Sequence, residues 1–129
     1  MQTLVVDTNI IISASISDKG NPAQIMKMIS DGKVQLCYNK NILSEYTDVL
    51  SREKFGFSTN KQAALINKIM EIGVLVNPTL SDTYMPDEDD RIFYDTAKEA
   101  GAFLITGNTK HYPSESFIMT PADFIKSHK

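Results

Sequence analysis

Short apolar runs alternate with helical stripes along this chain, and that alternation limits the fold more than any other feature. Leu4-Val5-Val6, Val34 to Tyr38, Val74-Leu75-Val76, Ala102 to Ile105 and Phe117-Ile118-Met119 are too short for helices and are bounded by polar or turn residues, so they read as strands. Between them, apolar residues recur at helical spacing. Ile25, Met26, Met28 and Ile29 follow the cap Asn21-Pro22; Ile42, Leu43, Tyr46, Val49 and Leu50 form a second stripe; Ala64, Leu65, Ile69 and Met70 form a third. Strands alternating with helices predict an α/β fold, a parallel sheet with helices on its faces.

Turn and cap residues set the expected boundaries. Ile10 to Ile16 starts or leads into the first helix. Lys40 or Asn41 opens one that runs to about Arg52, and Thr59 or Asn60 caps another that ends at Gly73. A helix from about Pro86 to Ala100 stops at Gly101, and Thr120-Pro121-Ala122-Asp123 caps a last short one. The segment Arg52 to Asn60, interrupted by Gly56 and Ser58-Thr59-Asn60, reads as a loop or a broken helix end. With 129 residues and no repeat or low-complexity tract, the chain is expected to form one domain around one core.

Composition removes several function classes. The formal charge of −3 leaves no general basic surface for a polyanion, so nucleic acid would need metal ions or a local basic rim. Cys37 is the lone cysteine. It excludes an intramolecular disulfide and a cysteine-cluster metal site, fits a reducing compartment, and reads as a small apolar strand residue. The apolar N-terminus is broken by Asp7 and Asn9, lacks a basic leader and falls short of the roughly 20 residues that span a bilayer. A cytoplasmic protein with no membrane partner is the expectation.

The acidic residues point to a site. A buried strand ending at Asp7 puts a carboxylate at the carboxyl edge of the sheet, where open α/β folds build their sites. Glu45 borders the apolar stripe of its helix; its carboxylate either reaches over the sheet edge toward Asp7 or sits in solvent beside a base one turn away. Asp87-Glu88-Asp89-Asp90 opens a predicted helix, where free backbone N–H groups and the dipole favour acids, but that role does not require four of them. Asp90 has Phe93, Tyr94 and Ala97 three, four and seven positions on and shares the face that packs toward the sheet; Asp87 is one turn earlier, in reserve. Thr106-Gly107-Asn108 follows a strand, and Asn108 either joins the site or caps the next helical turn. Converging carboxylates cannot all stay ionised without a cation between them, because like charges a few ångströms apart raise one another's pKa. Oxygen ligands suit Mg²⁺ or Mn²⁺. Such an ion binds a phosphodiester oxygen, activates water and stabilises the leaving oxyanion, so in-line hydrolysis without a protein nucleophile is expected.

Val5-Val6-Asp7-Thr8-Asn9-Ile10, Leu43-Ser44-Glu45-Tyr46 with Val49-Leu50-Ser51-Arg52 behind it, and Asp90 followed by Thr96 to Asn108 resemble, in order and spacing, the successive motifs of a PIN domain over nearly the whole chain. The likeness extends to small bacterial and archaeal PIN proteins that are toxins of toxin–antitoxin pairs, the VapC-type ribonucleases. It implies a three-layer α/β/α fold with a central parallel sheet, and an endoribonuclease that cleaves single-stranded RNA with Mg²⁺ or Mn²⁺. By motif position it implies that Asp7, Glu45 and Asp90 are metal ligands, that Thr8 and Asn9 support Asp7, and that Thr106 and Asn108 line the site. Many such nucleases carry a fourth acid near the position of Asn108. The amide here implies a weakened second metal, or a charge supplied by Asp87 instead.

Arg52, Lys54, Lys110 and His111, together with Lys40, are the basic candidates for RNA contact, with solvated surface as their alternative. On RNA they would meet phosphates and add salt dependence without reading bases; His111 could instead be an orienting donor. The resemblance also implies a cognate antitoxin that covers or enters the acidic site, and a homodimer. The face of Ile25, Met28 and Ile29 is the dimer candidate unless it belongs to the core. Two other readings compete: a non-catalytic RNA-binding or regulatory module with a degraded acidic site, suggested by Asn108, and a receiver-like phosphoacceptor domain. The latter lacks an acid beside Asp7 and has Tyr38-Asn39-Lys40 or Asn77-Pro78 where its acceptor would stand.

Overall fold

The computed structural model describes residues 1–128. Among them strands and helices alternate as β1 (Thr3–Val6), α1 (Thr8–Ile16), α2 (Asn21–Ser30), β2 (Gln35–Tyr38), α3 (Lys40–Leu50), α4 (Thr59–Ile72), β3 (Val74–Leu75), α5 (Arg91–Ala100), β4 (Phe103–Ile105), β5 (Ile118–Met119) and α6 (Pro121–Ser127). The sheet runs in the order β3-β2-β1-β4-β5 and every pairing is parallel. This is the three-layer α/β/α architecture with a central parallel sheet.

Leu4, Val5, Val6, Leu36, Leu104 and Ile105 are all 0 % exposed, which is why the central strands read as unbroken apolar runs rather than alternating ones. The order reverses at β1, which pairs with β2 on one side and β4 on the other, with Val6 in register with Ile105. That reversal is the topological switch point, and its carboxyl edge carries the site. The short edge strand β3 leaves Val74 and Leu75 exposed. Helix α5 lies over the sheet through Phe93, Tyr94 and Ala97, all buried, and the Phe93 ring stacks with Tyr46 of α3 at a centroid distance of 6.2 Å. Ile25 and Ile29 are buried and Met28 half-buried, so the face considered for a dimer is used in the core. Cys37 is a buried free thiol whose pKa burial pushes up.

Two boundaries differ from expectation. Ser58, not Thr59 or Asn60, caps α4: the chain enters extended, so the first of three cap-competent residues takes the role and its Oγ accepts the Lys61 N–H at 3.0 Å. The helix expected from Pro86 begins only at Arg91, because Asp87 turns its carboxylate onto the Asp89 N–H at 3.0 Å and makes Glu88–Asp90 a 3₁₀ turn. As expected, the segment after α3 is loop, here Arg52 to Ser58 with a 3₁₀ turn at Glu53–Phe55. Gly73 is required where α4 meets β2: a Cβ there would lie 2.6 Å from the Ile69 carbonyl and 2.7 Å from the Tyr38 ring.

Candidate active site

Asp7 stands where β1 passes into α1. A carboxylate at the end of a fully buried strand is tolerable only with donors around it, and the start of a helix supplies them. Its backbone N–H extends the ladder to the Ile105 carbonyl at 2.9 Å, and its Oδ1 accepts the Asn9 N–H at 3.2 Å as the cap of α1. Oδ2 accepts from Thr106 Oγ1 at 3.0 Å, just past β4, and from the Tyr112 hydroxyl at 2.9 Å. Tyr46 braces the same corner: its hydroxyl donates to the Val6 carbonyl at 2.5 Å, and burial followed by the charge of Asp7 pushes its pKa well up.

Asp90 closes the 3₁₀ turn before α5, and the acids around it have separate uses. Glu88 holds the Arg91 guanidinium through contacts of 2.7 Å, and that pairing lowers its pKa; the same guanidinium ties down the carbonyls of Ser81 and Thr83. Among the described residues Asp90 has no guanidinium bound to it, and its Oδ2 makes no hydrogen bond. Its carboxyl is pushed up to about 6, first by burial, then by the charges of Asp7 and Asp87, with His111 opposing and Asp89 adding. The His111 Nδ1 is 3.5 Å from Asp90 Oδ2, and Asp87, Asp90 and His111 can each bring a ligating atom within 4.8 Å of the others.

Glu45 is half-buried on α3. Its pKa is raised by burial first, then by Asp48, Asp89 and Asp7 against the opposing Arg52. Arg52 pairs with Asp48 at 3.1 Å rather than with Glu45. Asp7, Asp87, Asp90 and His111 thus form one neighbourhood, with Glu45 in its field. Asn108 borders it through His111: the side chain is exposed, its Oδ1 accepts the Lys110 N–H at 3.2 Å as the cap of the 3₁₀ turn Thr109–His111, and its Nδ2 faces His111 Nε2 at 3.0 Å. Thr8 is buried beside Asp7, while Asn9 is exposed and contributes its backbone N–H.

The basic candidates are dispersed. Lys40 is exposed at the start of α3, and Lys54 holds its ammonium 5.1 Å above the Phe55 ring. Lys110 borders a groove of about 470 Å³ shared with Tyr112, Ser114, Glu115 and Thr120. Tyr112 and Tyr46 are the functional-site neighbours that sequence reasoning missed. Tyr112 meets Asp7 across 105 positions of sequence, and the one available signal was a phenol just past the turn that follows β4.

Two buried oxygens, Asp90 Oδ2 and Thr8 Oγ1, have no hydrogen-bond partner among the described residues. Unsatisfied oxygens beside a group of carboxylates are the environment that a hard divalent cation satisfies. The donor set therefore fits such an ion.

A parallel α/β sheet with acids gathered at its switch point defines an open α/β protein with an acidic edge. Over residues 3–110 the chain matches the PIN domain model, and it belongs to the PIN domain family, a family of nuclease type that typically uses a divalent metal. It is similar to an uncharacterized protein of Methanocaldococcus jannaschii, 32% identical over 108 residues that cover 81% of this chain and 70% of the relative. Among the described residues no helix is long and apolar enough to cross a membrane.

Proposed function

We propose that this protein is a divalent-metal-dependent endoribonuclease that cleaves single-stranded RNA, and that it is the toxin of a toxin–antitoxin pair. The observation that carries the reading is Asp90, a carboxyl raised to about 6 by burial and by Asp7 and Asp87, with one buried oxygen left unpartnered. Acids so placed repel unless a cation joins them. Asp7, Asp90, Glu45 and Asp87 would hold Mg²⁺ or Mn²⁺. When bound, the ion supplies Lewis-acid activation of water and offsets charge developing on the phosphodiester.

The rest is work for the chain's own residues. Asn9, Thr106 and Tyr112 fix Asp7 before substrate arrives, so little reorganisation remains for the chemical step. Lys110 and His111 project from an exposed turn beside the acids, where they can meet backbone phosphates and draw RNA against the repulsion of the cluster. Arg52 and Lys54 extend that contact along the α3 side. An antitoxin would cover the acidic edge, and self-association would use a face other than Ile25 and Ile29.

Labelled single-stranded RNAs given the purified protein should be cut with Mg²⁺ or Mn²⁺, spared with EDTA, and spared by Asp90→Asn. RNA that is bound but left intact with both ions would favour the non-catalytic module, the reading to which an amide rather than a fourth acid at Asn108 lends support.

A further inference from the structure

Tyr112 lies beyond the span that matches the family model, yet it touches the best-anchored acid of the site. A carboxylate has about four acceptor positions. On Asp7, Oδ2 receives the hydroxyls of Thr106 and Tyr112, and Oδ1 receives the Asn9 N–H, so the one position left is on Oδ1. Neither hydroxyl is free to turn away. The Thr106 oxygen accepts the Asn108 N–H at 3.1 Å, which aims its own hydrogen at Asp7. The Tyr112 side chain is 4 % exposed and its hydroxyl lies 2.9 Å from Asp7 Oδ2, so packing holds the phenol as a donor to that oxygen.

We propose that Tyr112, together with Thr106, makes Asp7 a one-oxygen ligand and so selects a small six-coordinate divalent ion over calcium. Calcium takes six to eight oxygens and often grips a carboxylate through both, whereas Mg²⁺ and Mn²⁺ favour octahedral shells that one oxygen per acid can serve. Closing Oδ2 removes the two-oxygen grip. Tyr112 is thus a positioning residue that acts through Asp7, and the inference rests on the metal-dependent reading above.

The test is calorimetric titration of the metal-stripped full chain with Mn²⁺ and, separately, with Ca²⁺. Wild type should bind Mn²⁺ more tightly. Tyr112→Phe and Thr106→Val should each narrow the ratio of the two affinities about tenfold, the low end of what outer-sphere partners contribute. Thr106→Ser, which restores the hydroxyl, should keep the wild-type ratio. Should Tyr112→Phe not fold, the valine and serine pair carries the same comparison. A ratio unmoved by Tyr112→Phe or Thr106→Val, with Asp90→Asn still abolishing Mn²⁺ binding, overturns the role of Tyr112 and leaves the metal site standing. Wild type that binds neither ion, and so resembles Asp90→Asn, overturns the metal reading and this inference with it.

Discussion

Asp7 and Asp90 are acids at one edge of one sheet, and the structure treats them in opposite ways. Asp7 is 7 % exposed and carries donors on both oxygens. Asp90 keeps a buried oxygen without a donor and is pushed up to about 6. One carboxylate is held by hydrogen bonds from uncharged donors and contributes to the fold; the other is left for a cation and opposes it. The difference teaches that a site can be built half from groups the fold satisfies and half from groups it leaves unsatisfied. Variants of the two acids should therefore agree in activity and disagree in stability.

The largest effect is the shared one. Asp7→Ala and Asp90→Asn should each lower metal-dependent RNA cleavage by a factor on the order of 10³, as expected for removal of a group that holds the ion. Matching losses, measured as initial rates at saturating Mn²⁺, would fit two ligands of one site. A loss confined to Asp7 would break the pairing and reduce Asp90 to a surface acid.

Next comes the divergence in stability. Asp7→Ala removes the cap of α1 and strands the buried hydroxyls of Thr106 and Tyr112. Each charge-assisted bond contributes about 1.5–3 kcal/mol and the cap about 1, while relief of repulsion on Asp90 offsets part of the loss. A net cost of about 3–6 kcal/mol is expected, read from the urea midpoint in EDTA.

These contrasts also mark how far the sequence could be read. The central strands are buried on both faces and so are continuous apolar runs, which made the sheet class legible, and the edge strands were legible as short apolar runs between turn residues. Asp7 stood out because it ends such a run, and Asp90 because it heads the stripe of Phe93, Tyr94 and Ala97. The onset of α5 was hidden: four consecutive acids look alike as first-turn residues, and nothing local says that Asp87 will bind the Asp89 N–H or that Glu88 will hold Arg91. Glu45 stayed ambiguous for the same reason, since periodicity fixes a helix face but not which neighbour's field reaches it. Tyr112 on Asp7 and Asn39 on Thr96 are contacts across 105 and 57 positions, and no repeat period encodes a meeting made only in the folded chain.

The smallest effect is the most specific to Asp90. Its folded pKa lies above the ordinary 3.8, at about 6, so the folded state binds this proton more tightly than the unfolded state. The stability that protonated Asp90 lends is complete below about 3.8 and lost as pH rises through about 6, the reverse of an ordinary salt-bridged acid. The whole shift would correspond to about 3 kcal/mol, and water reaching the half-buried carboxyl screens this to about 1. In EDTA, Asp90→Asn should therefore match wild type near pH 4 and exceed it by about 1 kcal/mol at pH 7, as read from paired urea midpoints. Mn²⁺ added at pH 7 should reverse the ranking, raising the wild-type Tm and leaving the variant unmoved, because only a folded state that binds the ion gains from it. If Asp90→Asn is the less stable protein in EDTA at pH 7, Asp90 is satisfied in the same way as Asp7, and the contrast between the two acids collapses.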